Sequence, residues 1–268
     1  MSAVLLSPMS DVYAPEQAGS AVSTVVLQTR GLRMAFGGLT IFKGLDFELS
    51  KGERHAVIGP NGAGKSTFVN LVTGLLRATG GSLLLDGRDV TRWSAQKRVH
   101  AGLVRTFQIN TLFPTLTPLE AVTLALCQRD GVARPSLKGL HRFDQQVSEA
   151  GELLERFGLR AVCTTPTREL SYGEQRVLEV VLAFALRPRV LLLDEPAAGL
   201  STAQGVALFE QLSLLAGDTT VLFIEHDMHL VFRFADRVSV LAGGELIAQG
   251  APEGIRADER VRKAYLGN

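Results

Sequence analysis

The short apolar run Arg54–Ile58 (RHAVI) leads directly into Gly59-Pro60-Asn61-Gly62-Ala63-Gly64-Lys65-Ser66. Beyond it, from Thr67 to Leu76, apolar residues recur at Phe68, Leu71, Val72, Leu75 and Leu76. The first stretch has strand texture, and the spacing of the second predicts a helix. A strand, a glycine-rich loop and a helix in that order fit G-x-x-x-x-G-K-[ST]. Glycines let successive backbone N–H groups converge on one point, and the helix start adds the positive end of its dipole. The point so created suits a phosphate. Lys65 would bring a charge to the outer phosphates of a nucleotide, and the Ser66 hydroxyl a ligand for Mg²⁺. The plain alternative is a glycine-rich turn with a solvated lysine, and the strand–loop–helix context argues against it. Gly59 to Ser66, with Thr67 after them, are therefore the candidate nucleotide-binding residues.

A second element stands far downstream. Val190-Leu191-Leu192-Leu193 reads as a strand buried on both faces, and it ends in Asp194-Glu195. Side chains alternate along a strand, so two adjacent acids at its end can divide the work. Asp194 is the candidate Mg²⁺ ligand, directly or through water, and Glu195 the candidate acceptor of a proton from attacking water. Val221–Ile224 (VLFI) is another buried strand, and His226 follows it. A lone histidine in that place is ordinarily structural. Beside a phosphate loop and an acid pair it becomes a catalytic candidate.

The rest of the chain supports an α/β core assembled from both ends. The segment VVLQTRGLRMAF from Val25 suggests an edge strand and turn, and IFKGLDFELS a second strand closed by Lys51-Gly52. GGSLLLDGRDV suggests a further strand turning at Asp86-Gly87, VSVLAGGELIAQG a hairpin, and ADERVRKAYLGN a closing helix. Between about 105 and 170 the spacing turns helical, interrupted by GVARPSLKG. Residues 1–24 lack periodicity and read as a flexible tail. With 46% hydrophobic residues the chain can bury a core, and 28 Lys and Arg against 27 Asp and Glu leave a formal charge of only +1. That balance gives no support to nucleic-acid binding through a broad basic surface. The longest apolar run, Val180–Leu186, is far short of the roughly 20 residues that span a bilayer. Cys127 and Cys163 show neither metal-ligand nor disulfide-framework spacing, and no Lys or Arg precedes Arg30. Both point to the cytoplasm.

With these elements in place, the sequence resembles the ATP-binding subunits of ABC transporters over about residues 25–268. Leu170-Ser171-Tyr172-Gly173-Glu174-Gln175 is similar to the family signature. Gln108 stands where the family has its Q-loop glutamine, His226 where it has the switch histidine, and Ala198-Gly199-Leu200-Ser201 where it has the D-loop. Phe36 occupies the place of an adenine-stacking aromatic. Two departures are visible: Tyr172 and Glu174 replace a glycine and a glutamine of the usual signature, and Ser201 stands where aspartate is common. FGGL from Phe36, VRTFQ from Val104, SYGEQRVLEV, DEPAAGL, IEHDM and the ending AYLGN resemble one branch. That branch holds the ATPases of branched-chain amino-acid importers and their urea and short-chain-amide relatives. The lipopolysaccharide-exporter ATPase shares the ending but matches less well elsewhere.

The resemblance implies a P-loop NTPase (RecA-like) core with an antiparallel β subdomain, about 25–104 and 170–268, and an inserted α-helical subdomain, about 105–169. It implies ATP and Mg²⁺ as ligands, with Ser66, Gln108 and Asp194 toward the metal and Glu195, His226 and Gln108 in catalysis. Ser171 and Gly173 would face the nucleotide of a second ATP-binding subunit, a copy or a paralogue. The other partners implied are two integral membrane permeases and, indirectly, a periplasmic solute-binding protein. No nucleic acid is implied. A soluble ABC ATPase acting on nucleic acid is the alternative, and this chain has neither the fused second cassette nor the long insertion of those families. The place implied is the cytoplasmic side of the inner membrane, peripherally bound. Ile109–Leu119 (INTLFPTLTPL) is a candidate docking surface for the permease, or else packs the helical insertion.

Overall fold

The computed structural model describes residues 25–106, 112–132, 143–215 and 219–266. Two sheets and a helical layer build it. β1 (Val25–Phe36) and β2 (Leu39–Ser50) form a long hairpin, extended by β4 (Gly80–Leu85) and β5 (Arg88–Asp89) into an antiparallel sheet of order β2-β1-β4-β5. β1 is thus an interior strand and not the edge strand expected from its texture. Leu27 pairs with Leu49 on one side and Leu85 on the other. Polar residues on one face are common to edge and interior antiparallel strands, so alternation alone does not separate them.

The second sheet has the order β10-β9-β3-β8-β7-β6, where β3 is Arg54–Ile58, β6 Leu103–Arg105, β7 Val190–Asp194, β8 Thr220–Ile224, β9 Arg237–Ala242 and β10 Glu245–Gly250. Only β10 runs antiparallel to its neighbour. Every residue of β7 and β8 is buried, and period-two alternation sends them into two cores. Leu191, Leu193, Val221 and Phe223 join a core under the helical layer. Val190, Leu192, Leu222 and Ile224 face the other, between the sheets, with Phe42, Phe47 and Phe68.

Helix α1 (Lys65–Thr73) leaves the loop after β3 and fills that second core with Phe68, Val69 and Val72. The spacing to Leu76 suggests a longer helix, but Gly74 turns left-handed and stops it, leaving Leu75 exposed. Helix α2 (Ala95–His100) and β6 are too short to leave a period in the sequence, and neither was expected. Within the inserted region α3 (Pro118–Arg129) and α4 (Asp144–Arg156) pack on each other and on α5 (Tyr172–Ala185). Helices α6 (Thr202–Leu215) and α7 (Met228–Phe234) connect the sheet's later strands. The closing helix expected from ADERVRKAYLGN is α9 (Glu259–Leu266), and a further short helix, α8 (Pro252–Ala257), precedes it. No helix among the described residues is long and apolar enough to cross a membrane.

Because β3, β8 and β7 are parallel neighbours, their C-terminal ends open on one edge of the sheet. The segments that follow them carry Lys65, His226 and Glu195. Crevices at such strand ends are where open α/β sheets bind ligands.

Candidate nucleotide site

The phosphate loop is tightly constrained at its start. A Cβ on Gly59 would run into the carbonyl oxygen of Leu241, so only glycine lets the chain leave β3 here. Lys65 is 7% exposed and its Nζ donates to the carbonyl oxygens of Gly59 at 2.6 Å and Pro60 at 3.0 Å. Burial pulls its ammonium below the usual lysine range, against the pull of Glu195 and Asp194. The first turn of α1 holds no acidic residue, so its positive end is not neutralised. Asn61, Gly62 and Ser66 are exposed around this cradle.

At the far side of the crevice Asp194 closes β7 and is 3% exposed. Glu195 follows with φ +49, a left-handed backbone that non-glycine residues seldom adopt and that collects at functional sites. Its N–H donates to the Ile224 carbonyl at 3.0 Å, tying the bend to the end of β8. Oε1 of Glu195 lies 2.7 Å from Nε2 of His226. Behind this pair Glu225 is 4% exposed and accepts the N–H groups of Ala197 at 2.8 Å and His226 at 3.1 Å. Burial pushes the Glu225 carboxyl up, assisted by the charge of Glu195 and opposed by its backbone hydrogen bonds. Glu225 is therefore a brace between the segments after β7 and β8.

No group of three or more His, Cys, Asp or Glu able to hold a metal occurs among the described residues. A cation here would draw on Asp194, the Ser66 hydroxyl and the oxygens of a bound nucleotide. One carboxylate completed by phosphates is a donor set that suits Mg²⁺. The residues present fit that ion.

Ser171 caps α5: its side chain accepts the Glu174 N–H, and Glu174 Oε2 accepts the Ser171 N–H at 2.7 Å. The Ser171 hydroxyl also donates to Glu174 Oε2 at 2.7 Å. Ser171 and Tyr172 are exposed, on a surface that points into none of the phosphate-loop contacts.

Comparison with known proteins gives the family. A family described as "ABC transporter" matches residues 42–198, and one described as "Branched-chain amino acid ATP-binding cassette transporter" matches residues 245–268. The high-affinity branched-chain amino acid transport ATP-binding protein LivG of Escherichia coli K12 is 38% identical over 255 residues, covering 92% of this chain and 99% of its own. BraF of Pseudomonas aeruginosa has the same identity and coverage. The chain belongs to the ABC transporter family. A nucleotide-free ATP-binding cassette of an ABC transporter superposes with a TM-score of 0.79 at 28% identity, over 91% of this chain and 100% of that one. The ADP conformation of MJ1267, another cassette of an ABC transporter, gives 0.78 at 28% identity over 91% and 99%.

In this ABC cassette the expected site residues fall into three groups. Gly59 to Thr67, Asp194, Glu195 and His226 meet at the strand ends. Phe36 ends β1 at a hairpin tip and is 47% exposed, while Ser171 and Gly173 stand on the start of α5. Gln108 lies outside the described residues. The structure adds residues to which the motifs gave no role. Arg176 of α5 donates from Nη2 to the Glu195 carbonyl at 2.7 Å and from Nε to the Pro196 carbonyl at 3.2 Å, gripping the backbone of the acid pair. Tyr265 of α9, 40% exposed, brings its phenol beside the backbone of Gly59, and partial desolvation pushes that phenol up to about 12. For Glu225 a signal existed: it sits between a buried strand and His226. Arg176 and Tyr265 fall inside the family-like SYGEQRVLEV and AYLGN, but nothing in those segments says what the two side chains touch.

Proposed function

We propose that the chain is the ATP-hydrolysing subunit of an ABC importer for branched-chain or other hydrophobic amino acids. In this reading it binds two permease subunits at the cytoplasmic face of the inner membrane. The 2.7 Å pairing of Glu195 with His226 carries the hydrolytic part. It sets a carboxylate, held by an imidazole, at the end of β7, separated from the strand that feeds the phosphate loop by β8 alone. The likeness of the chain to LivG and BraF, including the match over residues 245–268, supports the solute class.

The chemistry follows from the side chains. Backbone N–H groups of the loop and Lys65 hold the phosphates, and Lys65 exchanges its bonds to the Gly59 and Pro60 carbonyls for phosphate oxygens. Ser66, Asp194 and, by resemblance, Gln108 would hold Mg²⁺, which when bound would neutralise part of the phosphate charge. Glu195 accepts a proton from the attacking water, and His226 keeps its carboxylate aimed. Phosphoryl transfer asks mainly for positioning and electrostatic stabilisation, which these groups provide. Ser171 and Gly173, away from their own loop, complete the site of a second subunit, so ATP holds two subunits together until it is cleaved.

A groove of about 340 Å³ between β6, α3 and α5 fits a permease segment. Leu112, Phe113, Leu116, Leu124 and Leu182 line it, and Phe113 is 68% exposed. Phe113→Asp is expected to leave ATPase activity of the isolated subunit in place and to weaken assembly with the permease.

Deleting the gene and measuring uptake of leucine, urea and short amides, beside outer-membrane lipid transport, tests the assignment. Loss of leucine uptake is the expected result. Loss of urea or amide uptake alone would move the assignment to those relatives, and lost lipid transport with all uptake intact would move it to the exporter branch.

A further inference from the structure

Arg105 closes β6 in register with Leu192 of β7, so its side chain runs beside the end of the strand that carries Asp194. Its Nη2 donates to Asp194 Oδ2 at 2.6 Å and its Nη1 to Asn70 Oδ1 at 2.7 Å. The pair is nearly dry: the side chains of Arg105 and Asp194 are 11% and 4% exposed. Nε of Arg105 is buried without a partner. Dehydrating two charges is costly, and the orphaned N–H adds to that cost. An apolar side chain would pack the end of β6 at lower cost. What the arginine supplies is geometry.

That geometry reaches both sides of the metal position. Asn70 follows Ser66 by four residues on α1, so the two share one helix face. A single guanidinium therefore ties the face that bears Ser66 to the carboxylate of Asp194. It commits Oδ2 of that carboxylate and leaves Oδ1 for a cation.

We propose that Arg105 is a positioning residue that sets the Mg²⁺ site by cross-linking Asp194 to the Ser66 face of α1 through Asn70. The inference rests on the reading of Ser66 and Asp194 as metal ligands. Hydrogen-bonded partners of metal-ligating groups are typically worth about 10–100-fold in metal affinity, and Arg105 takes that place for Asp194. The position also matters for the groove, because Arg105 is among its lining residues. A segment seated there touches the residue that orients the metal ligand.

The test uses the isolated subunit and a fluorescent ATP analogue, titrated with Mg²⁺ and, separately, bound in EDTA. Arg105→Met, which keeps the apolar stem, is expected to lower apparent Mg²⁺ affinity about 10-fold or more. Nucleotide binding in EDTA should stay within about twofold. Asn70→Ala should shift Mg²⁺ affinity in the same direction by a smaller factor. If Arg105→Met does not fold, Arg105→Lys serves, since one ammonium cannot span both acceptors and has to weaken Mg²⁺ as well. An unchanged Mg²⁺ affinity in these variants, with Asp194→Asn impaired, overturns the proposal alone. A raised Mg²⁺ affinity overturns it too, making Arg105 a competitor of the cation. Equal losses with Mg²⁺ and in EDTA would reduce Arg105 to a structural role. If Asp194→Asn itself leaves Mg²⁺ affinity unchanged, the ligand reading falls and the proposal with it.

Discussion

The Tyr172 hydroxyl donates to the carbonyl oxygen of Ala198 at 3.1 Å, joining the signature segment to the loop after Glu195 within one subunit. The next residue, Gly199, has φ +77, and a Cβ on it would stand 2.7 Å from the Tyr172 ring. The tyrosine that departs from the usual signature is thus matched by a glycine beneath it. Gly199→Ala meets both a left-handed backbone, at about 1–2 kcal/mol, and a steric conflict with the ring. Tyr172→Phe removes one hydrogen bond, worth about 0.5–1.5 kcal/mol. Thermal melts and ATPase assays are expected to rank Gly199→Ala as the more damaging. Equal effects would mean that the ring contact carries nothing.

Glu195→Gln is expected to keep ATP binding, lower turnover at least 100-fold and trap an ATP-bound dimer. His226→Ala should act on the same step, so the double variant loses little beyond the worse single one. Single-turnover phosphate release reads this directly. Multiplying losses would show the two side chains acting independently.

Ser171→Arg puts bulk and charge on the cap of α5 while touching none of the phosphate-loop contacts. It should abolish Mg-ATP-dependent association, as seen by light scattering, and leave ATP binding to the monomer within about threefold, under 1 kcal/mol. Parallel loss of monomer binding would refute a site shared between subunits.

Arg129 ends α3 and grips Glu149 of α4 through both η nitrogens, at 2.7 and 2.9 Å, while Nε holds Asp130 at 2.7 Å. The guanidinium holds both carboxyls below their ordinary values of 3.8 for Asp130 and 4.5 for Glu149. More acidic folded than unfolded, these groups stabilise the helical layer above those ordinary values, and the contribution drains away as pH falls through the lowered ones. Arg129→Ala should cost about 1–3 kcal/mol in urea unfolding at pH 7 and make stability less steep in pH below about 4.5. An unchanged acid limb would place its origin elsewhere, such as Asp236 with Arg54.

What could be read ahead of the structure was local. Gly59 to Ser66 carry their geometry in their spacing, and the apolar strands before Asp194 and His226 announce which ends will meet. The pairings beside them were not legible, for a physical reason. An arginine in a sequence has no direction, and Arg105 acquires its partners only when β6 pairs with β7 and α1 packs beneath them. Arg105 falls within the family-like VRTFQ, but nothing in that segment says which groups its side chain will touch. The same holds for β1, whose second neighbour arrives from Gly80 onward, and for Tyr265, whose contact with Gly59 needs nearly the whole chain between them. Gln108 lies outside the described residues, and the part it plays rests on resemblance.

The place of β3 in the sheet has a consequence for how the protein is made. The strand that feeds the phosphate loop is flanked by β8 and β9, with Arg54 opposite Val221 and His55 opposite Arg237. On a ribosome, residues 54–66 emerge long before either flanking strand exists. Pairing at such separation is slow to close, and a lone strand cannot hold the loop's shape. The sheet that frames the phosphate loop is therefore complete only once residues through Ala242 have been made, so the loop is among the last parts of the core to gain both its neighbours.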